Sequence, residues 1–88
     1  LDRDPDAGYA ALRLAVIHLE EGKNLEQALT YASTAKQKLP DDPAVNDTLG
    51  WVYVRMGLAG RGVPLLEDAV RRAPANALYH YHAGMSYI

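Results

Sequence analysis

Pro40 and Pro74 stand 34 residues apart, and the same interval separates Leu49 from Ala83, Gly50 from Gly84 and Tyr53 from Tyr87. One step back, Ala15 precedes Gly50 and Gly22 precedes Gly57 by 35. The additional residue falls in the turn Gly22, Lys23 and Asn24, because Ala28 to Gly62 and Ala35 to Ala69 return to 34. A fixed period of this length restricts the chain to stacked copies of one supersecondary unit. Each copy is too small to bury its own apolar face and must bury it on its neighbours.

The punctuation within each period makes that unit a pair of helices. Asp4-Pro5 and Asp42-Pro43 each offer an N-cap followed by a proline whose missing N–H costs nothing in the first turn. Asn24, with Gln27 three residues on, reads as a capping box, and Asn76 as a further cap. Gly22 and Gly57 close helices, and Pro40 and Pro74 stop them. Helices are therefore expected at about 5–21, 25–39, 43–56, 62–73 and 77–88, with boundaries good to about 2–4 residues. The fourth is set to begin late, because Gly60, Gly62 and Pro64 weaken its first turn. The second places Leu25, Ala28, Leu29, Ala32 and Ala35 on one face. No stretch alternates in the manner of a strand. The fold class is all-α.

The totals set limits on function. Eighty-eight residues make one domain at most, and a net charge of −2 gives no electrostatic footprint for nucleic acid. Without cysteine there is no disulfide framework or thiolate nucleophile, a composition compatible with cytoplasm and periplasm alike. No run reaches the roughly 18 apolar residues of a membrane span, so a soluble chain with no direct membrane insertion is expected. The chain starts at Leu1 without a Met or signal peptide and stops one residue after "AGMSY", inside the next copy of its pattern. It is expected to be a piece of a longer protein.

The residues at the repeat period resemble the tetratricopeptide repeat family. Its pattern of L-G-x-x-Y, an alanine, a large residue, a second alanine and a proline is met by Leu49, Gly50, Tyr53, Gly57, Leu66, Ala69 and Pro74. Asn46 stands where the family prefers tryptophan, and Gly62 where it prefers alanine. The first unit matches through Leu14, Ala15, Gly22, Ala28, Ala35 and Pro40, with His18 in place of the tyrosine. The resemblance implies a right-handed superhelical solenoid of antiparallel helix pairs, with about two and a half repeats in one domain spanning 1–88. Its units would cover about 5–40, 41–74 and a truncated 75–88. Small residues at Ala15, Gly50 and Gly84, and at Ala28 and Gly62, would let paired helices approach closely. The phrasing "DTLGWVYVRMG" and "YHYHAGMSY" is further similar to bacterial tetratricopeptide proteins linked to exosortase (PEP-CTERM) and exopolysaccharide systems.

Chemistry finds little support. His80 and His82 are about 200° apart on a helix, His18 lies two units away, and no carboxylate completes a metal-ligand set. The acid pairs Glu20-Glu21, Asp41-Asp42 and Glu67-Asp68 point about 100° apart within each pair, and Asp41-Asp42 is explained by capping. Neither Ser33 nor Ser86 sits in a nucleophile elbow, and no strand precedes the glycines at 57, 60 and 62. A non-catalytic module with no cofactor and no metal is expected.

The informative residue is Trp51. With Leu49 at zero on the helical wheel, Asn46, Gly50 and Tyr53 fall between 0° and about 100°, so the core lies near 50°, and Trp51 falls near 200°, on the opposite side, where partial exposure is expected. Its counterparts at the period are Val16 and Met85. Leu19, Val54 and Ile88 lie one turn on; Leu12, Asp47 and Tyr81 lie one turn earlier. These residues form a stripe along the first helix of each unit, bordered by Arg13 and Arg55. The family resemblance implies that these helices line a concave groove where peptides are held. The lysines and asparagines of the family's carboxylate clamp are replaced here by Leu12, Val16, Thr48, Leu78 and His82, which favours an apolar extended segment or amphipathic helix as partner. Two readings stand together: the stripe binds a protein partner, or Trp51 and Met85 fill the inside of the superhelix. Two rival roles also stand, a self-associating scaffold of a cell-envelope or polysaccharide-export assembly, and an accessory domain of an enzyme. Self-association would use the truncated last helix as a homodimer contact.

Overall fold

The computed structural model of the chain describes residues 5–22 and 24–87. Five helices follow one another, α1 (Pro5–Glu21), α2 (Leu25–Lys38), α3 (Pro43–Arg55), α4 (Ala59–Arg72) and α5 (Ala77–Ser86), and no strand occurs among the described residues. The helix pairs α1–α2 and α3–α4 pack side by side through α2 and α3, and α5 lies against α4 and α3. The expected all-α repeat array is the fold observed.

Local chemistry explains most of the boundaries. Asn24 Oδ1 accepts the Gln27 N–H at 3.0 Å, Asp42 Oδ1 the Ala44 N–H at 2.8 Å, and Asn76 Oδ1 the Tyr79 N–H at 3.1 Å. The capping box at Asn24 is only half made, because the Gln27 side chain turns instead to the Tyr31 hydroxyl. The Asp4 cap lies outside the described residues. Gly57 ends α3 with φ of 82°, in the left-handed region that glycine enters without strain. There the Leu58 N–H reaches the Tyr53 carbonyl and the Gly57 N–H the Val54 carbonyl, a Schellman closure.

One boundary corrects the sequence reading. Helix α4 begins at Ala59, three residues before the expected start, with Gly60, Gly62 and Pro64 inside it. The Leu58 carbonyl accepts the N–H groups of Arg61 and Gly62, so the turn is closed by the backbone without a side-chain cap. Glycine lowers helix propensity without forbidding the helix, and tertiary packing decides the outcome.

The core is built in layers, each taking one buried residue from α1, α2 and α3. Ala11, Ala35 and Val45 form the first, Ala15, Ala32 and Leu49 the second, and Leu19, Ala28 and Val52 the third. The numbers rise along α1 and α3 and fall along α2, as an antiparallel neighbour requires. Alanines on α2 keep its axis close to both partners. In the second pair two glycines face one another at the contact. A methyl group built on Gly50 would lie 2.9 Å from the Gly62 carbonyl oxygen, and one on Gly62 would lie 2.5 Å from that of Gly50. Gly84, the next residue in the series, has open space where a methyl group would go, so the expected close approach is not made there.

A polar junction ties α2, α3 and α4 together. Lys36 Nζ donates to the Pro40 carbonyl and to Asn46 Oδ1, each at 2.6 Å, and Asn46 Nδ2 donates to Asp68 Oδ2 at 2.7 Å. Arg72 Nε reaches the same carboxylate at 2.8 Å, and Arg71 its other oxygen. Partial burial would raise the pKa of Asp68, but the hydrogen bonds and charges of Arg72 and Arg71 together outweigh it and hold the carboxyl below its ordinary value. A carboxyl lowered in the folded state stabilises the fold above its unfolded pKa of about 4, and that stabilisation is lost as pH falls through the folded value. Denaturant titrations from pH 7 to pH 2 should therefore show stability falling on the acid side. In Asp68→Asn that fall should be shallower, and an unchanged acid limb would show that the junction is not its source.

Candidate functional site

The face shared by α1, α3 and α5 holds a cleft of about 220 Å³, lined by Val16, Leu19 and Glu20 of α1, Asp47, Thr48, Trp51 and Arg55 of α3, and Leu78 and His82 of α5. Three first helices of successive repeats meet here, which places the cleft on the surface where the stripe was expected.

Its centre is a chain of three side chains. Asp47 is buried, and both its carboxylate oxygens lie 2.9 Å from His82 Nδ1. A carboxylate only accepts, so Nδ1 carries the hydrogen. The imidazole stacks on the Trp51 indole, with centroids 4.3 Å apart and planes 17° from parallel. The Tyr81 ring sits tilted, 5.9 Å from the same imidazole. Charge on the rim is exposed: Glu20 on α1 and Arg55 on α3.

The structure divides the ten candidate residues. Val16, Leu19, Asp47, Trp51 and Arg55 surround the cleft. Leu12 and Arg13 line a shallower depression along α1, together with Tyr9, Val16 and Ile17. Tyr81 and Met85 are exposed on α5. Three placements need correction. Leu19 is a core residue, packed with Ala28 and Val52, and only borders the cleft. Val54 faces α4, where its Cγ2 is 3.0 Å from the place a Gly62 methyl group would take. Trp51 is not opposite the core but half-buried against its third layer. Ile88 lies outside the described residues.

Glu20, Thr48, Leu78 and His82 line the cleft without having been candidates for partner binding. A signal for His82 exists: it follows Asp47 by 35 residues, one repeat and one position, so an acid on one first helix faces a base on the next. The other histidines are engaged with backbone, His18 Nδ1 on the Leu14 carbonyl at 2.8 Å and His80 Nε2 on that of Pro74 at 2.7 Å. Among the described residues, no three His, Cys, Asp or Glu side chains are grouped to hold a metal ion, and no helix is long and apolar enough to cross a membrane.

No curated protein and no solved structure matches the chain. The family model described as tetratricopeptide repeat matches it twice, over residues 1–43 and 48–88. Repeats of this kind generally mediate protein–protein interaction, through the concave surface that stacking creates. With that match covering nearly the whole chain, and with antiparallel helix pairs in succession whose second pair meets at Gly50 and Gly62, the chain belongs to the tetratricopeptide repeat family.

Proposed function

We propose that the chain is a non-catalytic interaction module, of repeat units at about 5–40, 41–74 and 75–88, that holds a partner protein in the cleft between α1, α3 and α5. The observation that carries this reading is the half-buried Trp51, standing with Val16 and Leu78 around an open, mostly apolar recess between the exposed charges of Glu20 and Arg55. An apolar side chain from an extended segment or amphipathic helix would enter the recess, and the rim charges would set its direction. Truncating a central aromatic anchor typically costs about 2 kcal/mol, or roughly thirtyfold in affinity. Peptides selected from a random library on the wild-type chain should lose that much on Trp51→Ala, measured by calorimetry with circular dichroism to confirm the fold. Unchanged affinity in a folded variant removes the cleft as the site.

A second reading, self-association as a scaffold, is favoured by α5. Leu78 is 54% exposed, Tyr81 59% and Met85 41%, along one face of a helix of ten residues. Contiguous apolar exposure of this kind marks interaction surfaces. Two chains meeting through α5 would cover it in a symmetric contact. Sedimentation over a concentration series should then show a monomer–dimer equilibrium that Tyr81→Glu shifts to monomer. A monomer at every concentration counts against this reading.

A further inference from the structure

The Asp47–His82 pair gives the cleft a directional chemistry that an apolar groove lacks. With Nδ1–H committed to Asp47, the neutral form of the imidazole carries its lone pair on Nε2. Among the described residues every buried side-chain nitrogen and oxygen has a hydrogen-bond partner; Nε2 has none and therefore meets solvent. The cleft is the open space that His82 lines. Stacking on Trp51 holds the ring plane, and Asp47 holds its rotation, so the acceptor is fixed in direction as well as in kind.

The charges around it decide what it can meet. An anion would face the Nε2 lone pair with the Asp47 carboxylate behind it. A cation would find Glu20 on one rim but Arg55 on the other, beside apolar walls. A neutral donor has neither conflict. The volume of about 220 Å³ is below that of sites that enclose a drug-sized ligand, and suits one large side chain. We infer that the cleft takes a tyrosine or tryptophan side chain of the partner, its ring against Val16, Leu78 and Trp51 and its O–H or N–H donated to His82 Nε2. This rests on the reading of the cleft as the partner site.

Indole and 1-methylindole test it, because they share a ring and differ in the donor. Titrated into the ¹⁵N-labelled chain at pH 8, indole should bind at least about tenfold more tightly, the worth of one hydrogen bond, with shifts confined to Val16, Thr48, Trp51, Leu78 and His82. The His82 Nε2 nitrogen resonance should move with indole alone, as it gains a hydrogen bond. The double variant His82→Phe with Asp47→Leu keeps an aromatic stack on Trp51 and leaves no carboxylate buried. It should bind the two probes equally, and a double variant that does not fold leaves the wild-type nitrogen shift to decide. Equal binding by the wild type, with a still Nε2 resonance, overturns donor recognition while leaving the cleft as an apolar site. Absence of any shift at the cleft residues with either probe overturns the partner site as well.

Discussion

Replacing Gly62 by alanine will lower the stability of the fold, and the same change at Gly60, two residues earlier in α4, will raise it. Both positions are helical, so both gain about 1 kcal/mol of helix propensity when glycine is replaced. They differ in surroundings. A methyl group on Gly60 meets nothing within 4 Å, whereas one on Gly62 lies 2.5 Å from the Gly50 carbonyl oxygen and 3.0 Å from Val54 Cγ2. The nearer contact is backbone, which cannot swing aside, so the two helix axes have to part. Overpacking of this kind costs about 1–3 kcal/mol, and Gly62→Val, with two further methyl groups, should cost about 3 kcal/mol or more. For a domain of this size each kcal/mol moves the melting temperature by about 4–8 °C. Thermal melts of Gly60→Ala, Gly62→Ala and Gly62→Val should thus fall on either side of the wild type. A higher melting temperature for Gly62→Ala would mean that the pair opens freely to admit the methyl group.

Asn46→Leu should be as damaging, for an opposite reason. Asn46 is 1% exposed and fills its place without crowding. What leucine cannot supply is the amide that receives Lys36 and donates to Asp68. Hydrogen bonds to charged groups are worth about 1.5–3 kcal/mol each, and Lys36 and Asp68 keep other partners, so a total near 3 kcal/mol is expected. Asn46→Asp separates charge from shape. It still accepts from Lys36 but sets a second carboxylate against Asp68, and that pair retains a proton above the ordinary carboxylate range. A group whose pKa is raised on folding stabilises at low pH and loses that contribution as pH rises. Asn46→Asp should therefore recover toward wild type on mild acidification, while the wild type only weakens. Urea titrations of both chains at pH 7 and pH 5 check the sign, and parallel behaviour would rule out a direct contact between residues 46 and 68.

The period, the caps and the alanine face of α2 were legible in the sequence because they are local or strictly repeated. The facing of α3 was not. Its residues Val45, Asn46, Asp47, Thr48, Leu49 and Gly50 are buried in succession, since the helix is covered by neighbours on several sides. A wheel assumes one covered face and one wet one, and here that assumption misplaced Leu19, Val54 and the far side of Trp51. The polar residues in that buried run find partners 10, 22 and 35 positions away, at Lys36, Asp68 and His82. Separations like these carry no periodic signal, so the partners of a core-facing asparagine and of an aspartate placed in the stripe could not be read from the sequence. The cleft was legible in outline because its walls do repeat, at Val16 and Trp51.

The core layers have a consequence for how such a chain could be cut and rejoined. Every layer joins α1 and α2 to α3, across the sequence boundary at Pro40. Written as text, the module is a helix pair. Read from its buried layers, it is a trio that straddles the seam, longer than the text by one helix. Duplication or grafting in whole periods therefore transplants two members of each layer, and the graft holds only where the receiving surface supplies the missing third.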